Sequence, residues 1–377
     1  MTMDPVVVEA GSALLRGELA DAAVADGAAR MQHGDARRTH RARGRGPKTV
    51  RVGWTAKVDA PVAAQVTVSE DEATLYVATL GGDLIALARA DGARRWTVKL
   101  GDRAYGAPFV HDDGTVWVGS DAKKMFAISA KGEVLHRVDV DGEADTAALA
   151  TPDGNVVFAA GNQVLAVRRG GDVAWRFAAK SKVFTAPALS GTRIVFGSQD
   201  DAVYAVDAAS GVLAWRAPLG ADVDGAPVVG DDGSVWVGTD RNEVVMLAPD
   251  GGTVWAADAG GYVRGGLALA RNGDVLAGTY GPAPRVLRIG PDGGIRGWFP
   301  VQGTGAREFG IHGAPLEDDD GALYFGAQDD AAYAIDPDGS VRWRFPTGAD
   351  VDAPLTLLTD GSLVVPSEDG SVTLLLP

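Results

Sequence analysis

The sequence predicts an all-β protein, an eight-bladed β-propeller of four-stranded antiparallel blades, and three observations carry that expectation. The first is a tryptophan series: Trp54, Trp96, Trp175, Trp215, Trp255, Trp298 and Trp343 recur every 39 to 45 residues once His136 is given the one vacant place. The second is an out-of-phase series of small residues before proline, at Ala60-Pro61, Ala107-Pro108, Ala186-Pro187, Ala226-Pro227, Ala314-Pro315 and Ala353-Pro354. Ala147-Ala148 and Gly265-Gly266 fill its two gaps, so each series has eight members. The third is composition. With 51 Gly and 19 Pro among 377 residues and 46% hydrophobic side chains, the chain has turns for many short strands and apolar residues for a large core.

Within a unit the elements follow in a fixed order. A short apolar run after the Ala-Pro pair is the innermost strand. Runs such as 115–120 and 234–239, each introduced by Asp-Asp-Gly, form the second strand. Runs such as 203–207 and 332–336 form the third, and a glycine turn then leads into the tryptophan strand. One such sheet cannot cover both of its own faces, so the units must pack on one another, and a ring does this without a long free edge. The last unit has strands over 354–358, 362–367 and 371–376 and then ends, whereas 50–58 is a tryptophan strand with no partners before it. The N-terminal strand is therefore expected to complete the last blade and clasp the ring, giving a propeller over 47–377 behind an extension over 1–46. Residues 5–31 read as a modest helix weakened by Gly11, Gly17 and Gly27.

Charge is unevenly spread. The net charge is −15, yet residues 30–51 carry eight Lys or Arg against Asp35 alone. The acidic body argues against nucleic-acid binding, and the basic arm is expected to be a solvated tail. No apolar run is long enough to span a membrane, and the first 30 residues lack the pattern of a secretory leader. The expectation is a cytoplasmic monomer as the chain stands, or a periplasmic one if a leader has been trimmed. There is no cysteine, and the five His are scattered, so neither thiolate nor imidazole metal sites are expected. Asp-rich turns at 139–142 and 318–321 lack the distal Glu of a calcium loop and are read as turns.

Residues 205–215, Ala-Val-Asp-Ala-Ala-Ser-Gly-Val-Leu-Ala-Trp, resemble the tryptophan-docking repeat of quinoprotein dehydrogenases and their relatives, the PQQ-like propeller family, with looser copies at 86–96 and 334–343. The lead-in 34–39 is similar to a segment that often precedes such propellers. The resemblance spans 47–377 and implies that all seven repeat tryptophans pack between neighbouring blades. It also implies, for the enzymes of the family, pyrroloquinoline quinone held against two adjacent cysteines with Ca²⁺ nearby. A chain without cysteine departs from that pattern, so no cofactor and no PQQ-dependent dehydrogenation are expected. Other relatives are accessory scaffolds, including a lipoprotein subunit of the outer-membrane barrel-assembly machine, and ligand sensors.

Function in a repeat protein is best sought where the frame is kept and the residue is not. Two residues before the Ala of each Ala-Pro pair, in the loop that opens on the channel, the ring reads Val58, Tyr105, Asp145, Phe184, Asp224, Arg264, His312 and Val351. From Trp to the proline position the distance is 12 residues in five units and 11 in one, but 7 from Trp54 to Pro61 and 17 from Trp298 to Pro315. The long loop carries Arg307 and Glu308, and the irregular turn around Tyr280 belongs to the same face. Two readings follow. One is a non-catalytic scaffold whose loop face takes a protein or peptide through Tyr105, Asp145, Phe184, Asp224, Arg264, Tyr280, Arg307 and His312. The other is a cofactor-independent enzyme with a small molecule at the channel mouth, using His312 as acid–base, Glu308 or Asp224 to orient it, and Arg264.

Overall fold

Burial separates the strands of every blade in the computed structural model, which describes residues 29–306 and 309–377. Inner strands such as Phe109–Val110 and second strands such as Val116–Ser120 are buried throughout, because neighbouring blades cover both of their faces. Outer strands such as Arg94–Lys99 alternate exposed and covered side chains, because one face meets water. Eight four-stranded antiparallel sheets result, and no helix occurs among the described residues. The expected clasp is present: Val52–Lys57 pairs with Ser371–Leu375, placing Trp54 opposite Leu374. The helix expected over 5–31 lies outside the described residues except for 29–31, which are not helical.

The tryptophans dock as the repeat implies, with one correction. Trp54, Trp96, Trp175, Trp215, Trp255 and Trp343 each donate the indole N–H to a backbone carbonyl 2.7 to 3.0 Å away. A positive-φ glycine of the next blade lies flat on the ring in five cases, such as Gly92 on Trp54 and Gly211 on Trp175, where a Cβ would approach to 2.6 Å. Trp298 does not dock. Gly297 pairs with Arg288 at the docking position, and Trp298, one residue on, pairs with Leu287. A slip of one residue turns a strand side chain to the opposite face. Trp298 is accordingly 61% exposed, whereas Trp343 is 7% exposed, and a Cβ on Gly339, the glycine due to cover this place, would meet nothing within 4 Å.

The basic arm is not a solvated tail. Residues 29–46 run round one end of the channel, where residues of five inner strands donate their N–H groups to them: Val68 to Ala29, Val110 to Arg30, Leu189 to Ala36, Val229 to Arg37 and Leu269 to Thr39. Arg38 is fully buried and donates to the carbonyls of Gln32, Pro187, Ala148 and Ala147 at 2.8 to 3.3 Å. Arg41 donates to Leu269 and Ala270, and His40 lies against the carbonyls of Pro315 and Leu355. The Asp-rich turn 318–321 holds the arm as well, Asp318 and Asp319 accepting from the N–H groups of Gly46 and Gly44. With Arg37 paired to Asp231 and Arg45 to Asp320, four of the arm's arginines are engaged by carbonyls and carboxylates at the rim, and the arm covers this end.

Candidate functional site

Counting nine residues on from each docking position, with six extra in the long loop, gives one constant frame. The residues there are Ala63, Tyr105, Asp145, Phe184, Asp224, Arg264, His312 and Asp352, and all eight line a cavity of about 390 Å³ at the open end of the channel. Two of the expected ring members are corrected by this frame. Val58 and Val351 are buried beneath the face at 2% and 0% exposure, and Ala63 and Asp352 stand in their places. The cause is that Ala60-Pro61 and Ala353-Pro354 sit out of register with the other pairs, which the Trp-to-Pro distances of 7 and 11 already signalled. Arg307 and Glu308 lie outside the described residues. Tyr280 is buried behind the rim, its ring edge-on to His312 with centroids 5.6 Å apart.

The first residues after the second strands form an outer layer that grips the ring. Asp240 takes both ends of the Arg264 guanidinium, at 3.0 and 2.8 Å. Gln328 donates to Asp352 at 3.2 Å and accepts from the Gly310 N–H at 3.0 Å, fixing its amide. Gln199 faces one oxygen of Asp224 at 3.5 Å. The other oxygens, Oδ1 of Asp145, of Asp224 and of Asp352, are buried with no hydrogen-bond partner.

Electrostatics follow from crowding. Burial, then the Asp121 carboxyl against it and the Glu143 charge, pushes Asp145 up to about 8, with Lys182 opposing. Burial and the charge of Asp240 push Asp224 up to about 6, with Asp222 adding a little and Gln199 and Arg264 opposing. Asp350 is pushed up to about 6 by burial and Asp352, and Glu368 is raised by burial, Asp352 and Asp350. At the open end burial and neighbouring carboxyls thus raise Asp145 and Asp224 of the lining, and Asp350 and Glu368 beside it.

The floor was not legible from the repeat. Gln32 and His33 of the arm, with Gln65, line the cavity from below. The His33 N–H donates to the Gln65 side-chain oxygen at 2.8 Å, and the imidazole rests where a Cβ on Gly266 would come within 2.1 Å of its Cε1. Glycine instead of the alanine found at 107, 147, 186 and 226 makes room for that ring. His33 is fully buried, and neither of its ring nitrogens has a hydrogen-bond partner. Burial and the neighbouring His40 and Arg38 hold its pKa well below the ordinary value.

No acid–base set assembles here among the described residues. Arg264 is held by Asp240, and no described carboxylate pairs with His312, whose ring meets Tyr280. Nor do the residues fit the quinone of the family's enzymes, since there is no cysteine pair to hold it.

Among solved structures, the fold is similar to BamB from Moraxella catarrhalis, with a TM-score of 0.73 at 17% identity over 87% of this chain and 100% of that one. It is similar to the computationally designed Ika8 protein, with a TM-score of 0.69 at 15% identity over 87% and 100%. It is also similar to quinohemoprotein alcohol dehydrogenase from Comamonas testosteroni, with a TM-score of 0.78 at 12% identity over 95% and 83%. No curated protein matches the sequence significantly. At these identities the neighbours, an enzyme among them, speak to fold alone. The family model described as outer membrane protein assembly factor BamB matches residues 42–168, 127–222 and 199–308, and the chain belongs to this PQQ-like propeller family.

Proposed function

We propose that the protein is a non-catalytic scaffold that takes a protein or peptide partner on the open loop face. The observation that carries this reading is the rim itself. Tyr105 and Phe184 stand 41% and 39% exposed beside a recess in which Arg264 is held by Asp240 and the His312 ring meets Tyr280. Exposed aromatics around a recess anchor partners well, since they bury large area at little entropy cost. Membership of the BamB-like family supports the same reading.

The test places glutamate on two faces. Tyr105→Glu with Phe184→Glu alters the open face, and Lys131→Glu, in an exposed turn of the opposite face, is the control. Affinity capture from the native host is expected to recover a partner with the wild type and the control and to lose it with the rim variant. Retention of the partner by the rim variant would count against the reading. So would a small-molecule conversion abolished by Arg264→Ala/His312→Ala while the variant remains folded.

A further inference from the structure

We infer that the recess is a cation site, built to receive an arginine side chain that the partner inserts along the channel axis. The inference rests on the scaffold reading and names the chemistry of its central contact. Asp145, Asp224 and Asp352 line the recess, and each has an Oδ1 that is buried without a hydrogen-bond partner. Below them His33, fully buried, presents an imidazole with neither nitrogen bonded. Buried polar atoms are nearly always matched, so unmatched oxygens on three carboxylates that line one cavity mark the place of a missing donor.

The missing donor must be positive and must have several N–H groups. Asp145 abuts the Asp121 carboxyl, and Asp352 abuts Glu368, so at two places carboxyl faces carboxyl with only a proton to bridge them. A cation settles such pairs better than a neutral donor does. A single metal ion does not fit. Among the described residues, only His111, Asp112 and Asp113 bring three potential ligands within 4.8 Å of one another, and they lie after an inner strand, where Arg169 already pairs with Asp112 at 3.0 Å. The acceptors of the recess are distributed round the ring and need an extended donor. A guanidinium offers five N–H groups in a planar fork, which can serve separate carboxylates at once. The protein does the same at the other end of the same channel, where Arg38 serves four carbonyls.

Calorimetric titration of the full chain near pH 8 tests this with three probes: the peptide Ac-Gly-Gly-Arg-Gly-Gly-NH2, its citrulline counterpart, and spermidine as a free amine. The arginine peptide is expected to bind at least about tenfold more tightly than the citrulline peptide. Asp145→Asn/Asp224→Asn is expected to abolish that preference while remaining folded by its melting curve. Binding should release protons, seen as a heat that changes with buffer, because a cation favours the charged form of Asp145 against its neighbours Asp121 and Glu143. Equal binding of the two peptides would overturn the cation site while leaving the scaffold reading to stand or fall on rim-dependent capture. Binding of spermidine without the arginine peptide would overturn the partner-borne arginine in favour of a free amine.

Discussion

At its closed end the channel is filled by residues 29–46, whose Arg38, His40 and Arg41 find backbone carbonyls from five blades' inner strands or adjoining loops. At its open end Asp145, Asp224 and Asp352 each keep a buried oxygen with no donor, and burial lifts Asp145 and Asp224 into the range of neutral pH. The blades supplying the two ends are the same, so blade packing does not explain the difference. A satisfied buried network adds stability, whereas unmatched acceptors subtract from it. The contrast teaches that one end has been finished from within the chain and the other left for something outside it.

The largest effect is expected where the closed end is opened. Arg38→Leu removes the donor shared by four carbonyls and should cost about 3–5 kcal/mol in urea unfolding, with Arg38→Lys recovering only part because an ammonium lacks the fork. An unchanged midpoint would mean that the arm is a passive tail after all. Next in size, Gly266→Ala drives a Cβ into the His33 ring and should cost about 1–3 kcal/mol. Adding His33→Ala should return most of that loss, and additive losses in the double variant would refute the steric link. The smallest is at the open end. The folded pKa of Asp145, about 8, lies above its unfolded value, so the folded state holds the extra proton and the wild type loses stability as pH rises from about 4 to about 8. Asp145→Asn does not titrate. It should match the wild type near pH 4 and exceed it by roughly 1–2 kcal/mol near pH 8, after allowance for solvent screening; melting curves at the two pH values decide this.

How much of this could be read from sequence varied with how strictly the repeat held. The blade count, strand order and N-terminal clasp were legible because the Trp and Gly positions repeat with the period of a blade. Tyr105, Asp145, Phe184, Asp224 and Arg264 were legible as ring members because their loops keep one length, and His312 because it keeps its place before Ala314-Pro315 despite the longer loop. Asp352 was hidden by one missing residue before Ala353-Pro354, and the misplacement of Trp298 by one added residue, since alternation along a strand converts a single-residue shift into a change of face. The docking of the arm was beyond reach for another reason. Its arginines bind backbone carbonyls, which every residue has, so no complementary pattern of side chains announces their partners. In hindsight two departures at the small channel-lining position, Gln65 and Gly266, mark where His33 is held and accommodated.

The claim that the open end is kept for binding at a cost in stability is tested most directly by equilibrium unfolding of Asp145→Asn/Asp224→Asn/Asp352→Asn at about pH 8. Removing the negative charge that these three crowded carboxyls carry at a buried rim should raise the unfolding midpoint above that of the wild type. A midpoint below the wild type would contradict the account, because it would show that these carboxylates hold the ring together and are not held in reserve for a partner.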